Sequence, residues 1–244
     1  MRISVSIAVA LLAITAIFFS PPLCPAGSAA PSLAVQPHLI NALEKKIGES
    51  SQVLFVRNIN SGAIDVCISP WERKNGDWQR IFAPVNGVIG SKGFAPPGEK
   101  REGDGTTPAG IFPLGMVFGY EPAFPTRMPY RQANVDDLWV DDVRAADYNR
   151  WVKRGMTQAA SYERMRRDDN LYKYGIVVEY NTNPVIKGYG SAIFFHLWRG
   201  KGIATAGCIA LAEEDLIRIL RWLDPAAKPL VVMGRKKIIG GFEK

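Results

Sequence analysis

Two side chains in this 244-residue chain have types and neighbours suited to covalent chemistry. Cys208 lies in Thr205-Ala206-Gly207-Cys208-Ile209, and His196 ends the apolar run Ile193-Phe194-Phe195. The connection between them bears Gly200 and Gly202. A strand, a short loop and a return strand would bring both residues to one sheet edge and set imidazole beside thiol. A thiol is mostly protonated at neutral pH, and an imidazole that accepts its proton favours the nucleophilic thiolate. Gly207 lets the backbone approach a ligand closely. Amides around Cys208 could then face the oxyanion that forms on an attacked carbonyl. These are the parts of acyl transfer through a thioester. The residues alone leave two other readings open. Cys208 could be a small buried hydrophobe, or it could pair with Cys67 in a disulfide.

The inventory offers few rivals. The chain has three cysteines and two histidines, which argues against a dense disulfide scaffold and a structural zinc site. The sequence contains no G-x-S-x-G, metal-binding helix, phosphate-binding loop or dinucleotide fingerprint. Asp104, Asp141 and Asp142 read as turn caps rather than paired acids. Tyr130 and Arg127 are weaker candidates for a substrate cleft. Trp139, Trp151, Trp198 and Trp222 read as core aromatics. No function is expected of His38, in the linker.

The composition, 47% hydrophobic and 22% charged, is that of a globular protein. Arg2 is the only charge before an apolar run over residues 3–19, which ends in prolines and small residues. That order predicts a signal peptide over residues 1–30, cleaved after Ser28 or Ala30, with an uncleaved anchor as the alternative. The mature protein is then expected outside the cytoplasm, in the periplasm or cell wall, without stable membrane insertion. The net charge of +7 suits an anionic envelope. Acids interleaved with the basic residues argue against nucleic acid as a partner, and Arg235-Lys236-Lys237 reads as part of a basic tail over 235–244.

Positioning Cys208 and His196 falls to the elements between. Residues 31–50 read as a linker and a short helix over 38–47, and residues 51–234 as the catalytic domain. Strands are expected at 52–56 and 63–68, then a hairpin over 71–82 turning at Asn75-Gly76. Loops should dominate 87–119, around a short strand at 111–117. Residues 121–170 have weak strand character around Leu138-Trp139-Val140, and their mixed-charge segments suit short helices covering one side of a cleft. Strands are expected at 172–180, 191–198, 208–211 and 229–233. An amphipathic helix over 213–223 carries Leu216, Ile219 and Leu220 on one face and acids in its first turn, and Asp224-Pro225 stops it. The fold class is therefore mainly β with a few helices (α+β).

Gly190-Ser191-Ala192-Ile193-Phe194-Phe195-His196, followed by Thr205-Ala206-Gly207-Cys208-Ile209-Ala210-Leu211, resembles the signature of the YkuD-type L,D-transpeptidase family. Gly103-Asp104-Gly105-Thr106-Thr107-Pro108-Ala109-Gly110-Ile111-Phe112 resembles that family's G-D-x-x-T-P-x-G-x-F segment. Trp139-Val140-Asp141-Asp142 and Tyr148-Asn149-Arg150-Trp151 resemble a further block of a related subgroup. Ala206 stands where the better-known motif has a second histidine, and Ala210 where it has Arg or Asn. The likeness is thus to a divergent Thr-Ala-Gly-Cys subgroup.

The resemblance implies a β-sandwich or barrel of mixed sheets with one amphipathic helix after the nucleophile. It implies Cys208 as nucleophile, His196 as general base and acid, and Gly207 at the oxyanion site, with Thr205 as a hydroxyl support. It implies peptidoglycan stem peptides as partners, a tetrapeptide donor and an amine acceptor, with no metal or organic cofactor. A hydrolytic L,D-carboxypeptidase or amidase on the same fold is one alternative. A non-catalytic secreted envelope-binding protein with a Cys67–Cys208 disulfide is another.

Overall fold

The computed structural model describes residues 45–60 and 63–235. The expected leader, His38, most of the linker and all but Arg235 of the basic tail lie outside those residues. Residues 45–47, the end of the expected short helix, are helical.

The strands follow in chain order: β1 (Gln52–Asn58), β2 (Asp65–Lys74), β3 (Asp77–Arg80), β4 (Val85–Val88), β5 (Gly110–Gly119), β6 (Tyr130–Gln132), β7 (Asp137–Val140), β8 (Trp151–Lys153), β9 (Tyr162–Arg164), β10 (Tyr174–Val178), β11 (Phe194–Leu197), β12 (Ile209–Leu211) and β13 (Leu230–Gly234). The helix α1 (Glu213–Trp222) lies between β12 and β13. One sheet runs β1-β13-β5-β10-β11-β12-β4-β2, and β2 pairs back with β1. The sheet therefore closes into a barrel and removes two free edges. β3 adds to β2, and β6 adds to β5. A separate three-stranded sheet, β8-β7-β9, forms an insertion between β6 and β10.

Alternation along the strands decides what faces the barrel core and what faces the site. On β11, Phe195 and Leu197 join Ile209 and Leu211 of β12 in the main core, against Leu216, Ile219 and Leu220 of α1. Phe194 and Cys208 point the other way, into a second cluster with Phe118, Trp139, Tyr172 and Val177. The apolar run Ile193-Phe194-Phe195 thus serves two cores. α1 carries Glu213, Glu214 and Asp215 in its first turn, where the helix dipole favours acids.

Several expectations need correction. β11 and β12 are parallel neighbours, with His196 opposite Ala210, and not a strand and its antiparallel return. The chain from Trp198 to Cys208 is accordingly a crossing loop. The mixed-charge segments over 141–170 form no helix among the described residues. They form β8, β9 and turns, because the insertion is organised around Asp137 instead of an apolar helix face. The Asp137 side chain is fully buried. Its Oδ1 accepts from Trp151 Nε1 at 2.7 Å, Lys153 Nζ at 2.9 Å and Arg131 Nη2 at 3.2 Å. Its Oδ2 accepts from Asn134 N at 2.8 Å. β5 is longer than the expected short strand, and β11 begins only at Phe194. Ala192, inside the expected strand, has a left-handed φ of 53°.

Candidate active site

Register places the two candidate residues on one face. Paired residues of parallel neighbours point to the same side, so His196 and Ala210 share a face, and Cys208 shares it two positions earlier. Both line a cavity of about 410 Å³, walled also by Lys100, Glu102, Asp141, Glu163, Arg167 and Tyr172. The crossing loop supplies more of the wall through Trp198, Arg199, Ile203 and Thr205.

Cys208 is a free thiol, 8% exposed, whereas Cys67 is disulfide-bonded. This overturns the alternative in which Cys67 and Cys208 pair, because Cys208 carries no disulfide. The Cys208 thiol donates to the Ala192 carbonyl at 3.1 Å, and Phe194 N–H donates to Sγ at 3.3 Å. Burial pushes the thiol up to about 12, against the Phe194 hydrogen bond, which favours the thiolate. At neutral pH the resting group is a thiol.

His196 is as buried as Cys208. Its Nδ1 lies 2.7 Å from the Leu197 carbonyl, which can only accept. Nδ1 therefore carries the proton, and Nε2 keeps a lone pair. Burial pushes the imidazole down to about 4, so it is neutral at physiological pH and able to take a proton. Tyr172 packs edge-on against its ring with centroids 5.2 Å apart.

The loop before Cys208 is tied from both sides. Thr205 N–H donates to the Ile89 carbonyl at 3.0 Å, and Ser91 N–H to the Thr205 carbonyl at 3.0 Å. Thr205 Oγ1 donates to the Cys208 carbonyl at 2.7 Å and accepts from Gly207 N–H at 3.1 Å. The buried Thr107 hydroxyl donates to the Gly207 carbonyl at 2.7 Å and accepts from Gly90 N–H at 2.9 Å. A β-carbon on Gly207 would stand 2.9 Å from the Thr106 carbonyl, so the close packing of these loops requires glycine. The Gly207 amide is occupied by Thr205. It would reach an oxyanion only by exchanging one acceptor for the other.

The cavity is charged at both ends. Lys100, 5% exposed in its side chain, sits 2.6 Å from Asp104. Burial opposes the Asp104 charge, but Lys100, Arg101 N–H and the Thr106 N–H and hydroxyl outweigh it and lower the carboxyl to about 2. Glu102 Oε2 accepts from Tyr148 at 2.6 Å and from Ser191 at 2.7 Å. On the insertion side, Arg167 donates to Glu163 at 3.0 Å and to Asp169 at 2.8 Å. Burial raises Glu163 and Asp141, and Asp141 Oδ1 is buried without a hydrogen-bond partner.

Other candidates fall elsewhere. Tyr130 donates to the Glu121 carbonyl, and Arg127 pairs with Asp224 at 3.0 Å. Neither lines this cavity, because β6 lies beyond β5, away from β11 and β12. Asp104 and Asp142 cap turns through backbone N–H groups, whereas Asp141 lines the cavity. Sequence reasoning passed over Lys100, Glu102, Glu163 and Arg167. Lys100 and Glu102 stand immediately before the Gly103-Asp104-Gly105 motif, which was the available signal. Among the described residues no group of three or more His, Cys, Asp or Glu could hold a metal ion. Nor is any helix among them long and apolar enough to cross a membrane.

Fold and cavity together define a class: a closed β-barrel with a free thiol and a neutral imidazole on one face of neighbouring parallel strands. Residues 75–233 match the profile of the YkuD family, described as the L,D-transpeptidase catalytic domain. The chain belongs to that family. The structure is similar to a crystal structure of the helical cell shape determining protein Pgp2 from Campylobacter jejuni, at 15% identity and a TM-score of 0.39. That match covers 81% of this chain and 55% of the other. The K307A mutant of Pgp2 matches at 16% identity and a TM-score of 0.37, over 84% of this chain and 60% of the other. The chain thus spans little more than half the length of these structures. A comparison with curated proteins finds no match.

Proposed function

We propose that the protein is a cysteine acyltransferase of the L,D-transpeptidase type, acting on peptidoglycan stem peptides outside the cytoplasm. One observation carries the reading. The hydrogen bond from His196 Nδ1–H to the Leu197 carbonyl leaves Nε2 as the only basic nitrogen, in the cavity that also holds the Cys208 thiol. Family membership supports the substrate class, and the apolar leader supports export.

In the first half-reaction the Cys208 proton passes to His196 Nε2, and Sγ bonds to the carbonyl carbon of the third stem residue. The tetrahedral oxyanion collapses, the C–N bond to D-alanine breaks, and His196 returns the proton to the leaving amine. In the second half-reaction an amine attacks the thioester, His196 takes its proton, and the thiol is restored. The resting thiol donates to the Ala192 carbonyl and not to His196, so attack requires its proton to turn from that acceptor to Nε2 while Sγ keeps its place. Lys100, buried beside Gly207, suits a substrate carboxylate.

Incubation with defined tetrapeptide muropeptides, followed by mass spectrometry, tests the reading. Cross-linked dimers with release of D-alanine are expected. Release of D-alanine with only tripeptide monomers would reassign the chain as an L,D-carboxypeptidase. Unchanged turnover by Cys208→Ala would refute the nucleophile. Fractionation of the producing cells tests export.

A further inference from the structure

The mechanism makes no use of Asn149, although few side chains in the molecule are tied to so many segments. It is 1% exposed and lies in the turn between β7 and β8. Its Oδ1 accepts from Trp139 Nε1 at 2.8 Å and from the backbone N–H of Ala192 at 3.1 Å. Its Nδ2 donates to the carbonyls of Asn181 at 2.7 Å and Tyr180 at 3.3 Å. Every donor and acceptor of the amide is engaged, which fixes its orientation. Asn181 in turn donates to the Gly190 carbonyl at 2.8 Å and the Ile186 carbonyl at 2.9 Å. The two asparagines therefore pin the loop after β10 at both ends.

The far end of that loop is Ala192, with a φ of 53°. A residue with a β-carbon holds this conformation only where its surroundings impose it. The partner of its N–H is Asn149, and its carbonyl accepts the Cys208 thiol. One residue thus has its amide held by Asn149 and its carbonyl aimed at the nucleophile.

We propose that Asn149 is a positioning residue for Cys208: by clamping Ala192 in the left-handed conformation, it aims the Ala192 carbonyl at Sγ and so sets the direction and proton affinity of the thiol. This rests on the reading of Cys208 as nucleophile. The sign follows from the chemistry of the bond. A thiol can donate to a carbonyl and a thiolate cannot, so the contact favours the protonated form. The Phe194 N–H acts in the opposite sense. The other titratable and charged groups that line the cavity with Cys208 are His196 on β11, Tyr172 before β10, Asp141 after β7, Glu163 on β9, Arg167 after it, Lys100 and Glu102 before β5, and Arg199 in the crossing loop. The Asn149 side chain hydrogen-bonds to none of them.

The test compares three variants of the full chain with wild type: Asn149→Ala, Ala192→Val and Trp139→Phe. Each is measured for Tm, for turnover of a tetrapeptide muropeptide, and for the rate at which iodoacetamide alkylates Cys208 at mildly alkaline pH. Asn149→Ala releases the clamp, so alkylation is expected to quicken about tenfold, the equivalent of one unit of lowered thiol pKa. Turnover is expected to slow about tenfold through loss of aim. Ala192→Val leaves Asn149 in place but puts a β-branched residue, which disfavours the left-handed torsion, at the clamped position, and should shift both rates in the same directions. It carries the test where Asn149→Ala does not fold. Trp139→Phe removes the other donor to Oδ1, and is expected to lower Tm while leaving alkylation unchanged. Wild-type alkylation in the folded Asn149→Ala and Ala192→Val variants would overturn the proposal, as would equal acceleration by Trp139→Phe, which would indicate general loosening. Alkylation is read without turnover, so a failed muropeptide assay counts against the substrate reading and not against this one.

Discussion

The closed barrel and the three-stranded insertion meet at one cavity, yet they are built on different physics and bring different groups to it. The barrel supplies Cys208 and His196 from strands whose other face is a continuous aliphatic core. Both residues are anchored to backbone atoms, the Ala192 carbonyl, the Phe194 amide and the Leu197 carbonyl. The insertion supplies the Arg167–Glu163 ion pair and Asp141, whose Oδ1 is buried without a hydrogen-bond partner. Its centre is a buried carboxylate, Asp137, satisfied by four donors. Backbone anchors fix an atom to within a fraction of an ångström, as bond-making requires. Ion-paired side chains offer charge and shape to a ligand and are more readily exchanged. Under the proposed function, the difference assigns chemistry to the barrel and recognition to the insertion.

The comparison yields a ranked set of expectations. Cys208→Ala should abolish turnover to the detection limit of a muropeptide assay while leaving the fold intact, since the side chain only shrinks. His196→Gln should cost about 10²–10⁴ in kcat/KM, the span of a lost general base. The same variant has a second readout. Folded His196 titrates near 4 against 6.5 for the free side chain, so between those values the unfolded chain binds a proton that the folded one refuses. Stability should therefore fall as pH drops through that window, by at most about 1.4 kcal/mol per pH unit from this group. Denaturant titrations should show that share of the slope vanish in His196→Gln.

Next in size is Thr107→Val, which strips the Gly207 carbonyl and Gly90 amide of a buried partner. A loss of about 1–3 kcal/mol in urea unfolding, with slower turnover, is expected. The smallest effect should come from the insertion. Glu163→Gln is expected to change KM a few-fold with kcat and Tm near wild type. A fall in kcat as large as that of His196→Gln would break the division of labour between the two regions.

The same contrast explains what could be read from the sequence. The barrel strands and α1 are legible because burial writes a period: Phe195 and Leu197 alternate with Phe194 and His196, and Leu216, Ile219 and Leu220 recur at helical spacing. The Cys208–His196 pairing is legible from type and scarcity, and the surrounding motifs give the family. The parallel register of β11 and β12 is not, since no local pattern distinguishes a crossing loop from a hairpin return. The insertion is the least legible region. Its strands β8 and β9 have three residues each and draw their stability from Asp137 and aromatic packing. A buried aspartate in a mixed-charge stretch looks the same as a solvated one. Asn149 is hidden for a related reason, because its role depends on segments more than thirty residues further along the chain.

The place of β13 in the barrel bears on when the barrel can close. This final strand is inserted between β1, the first strand, and β5, pairing parallel with one and antiparallel with the other. A chain whose residues 230–234 are not yet free to pair has a gap in its wall. Until then β1 and β5 lack their shared neighbour, and the barrel to which β11 and β12 belong is open. The topology thus ties closure of the barrel to the pairing of β13, a strand far along the chain from both of its neighbours.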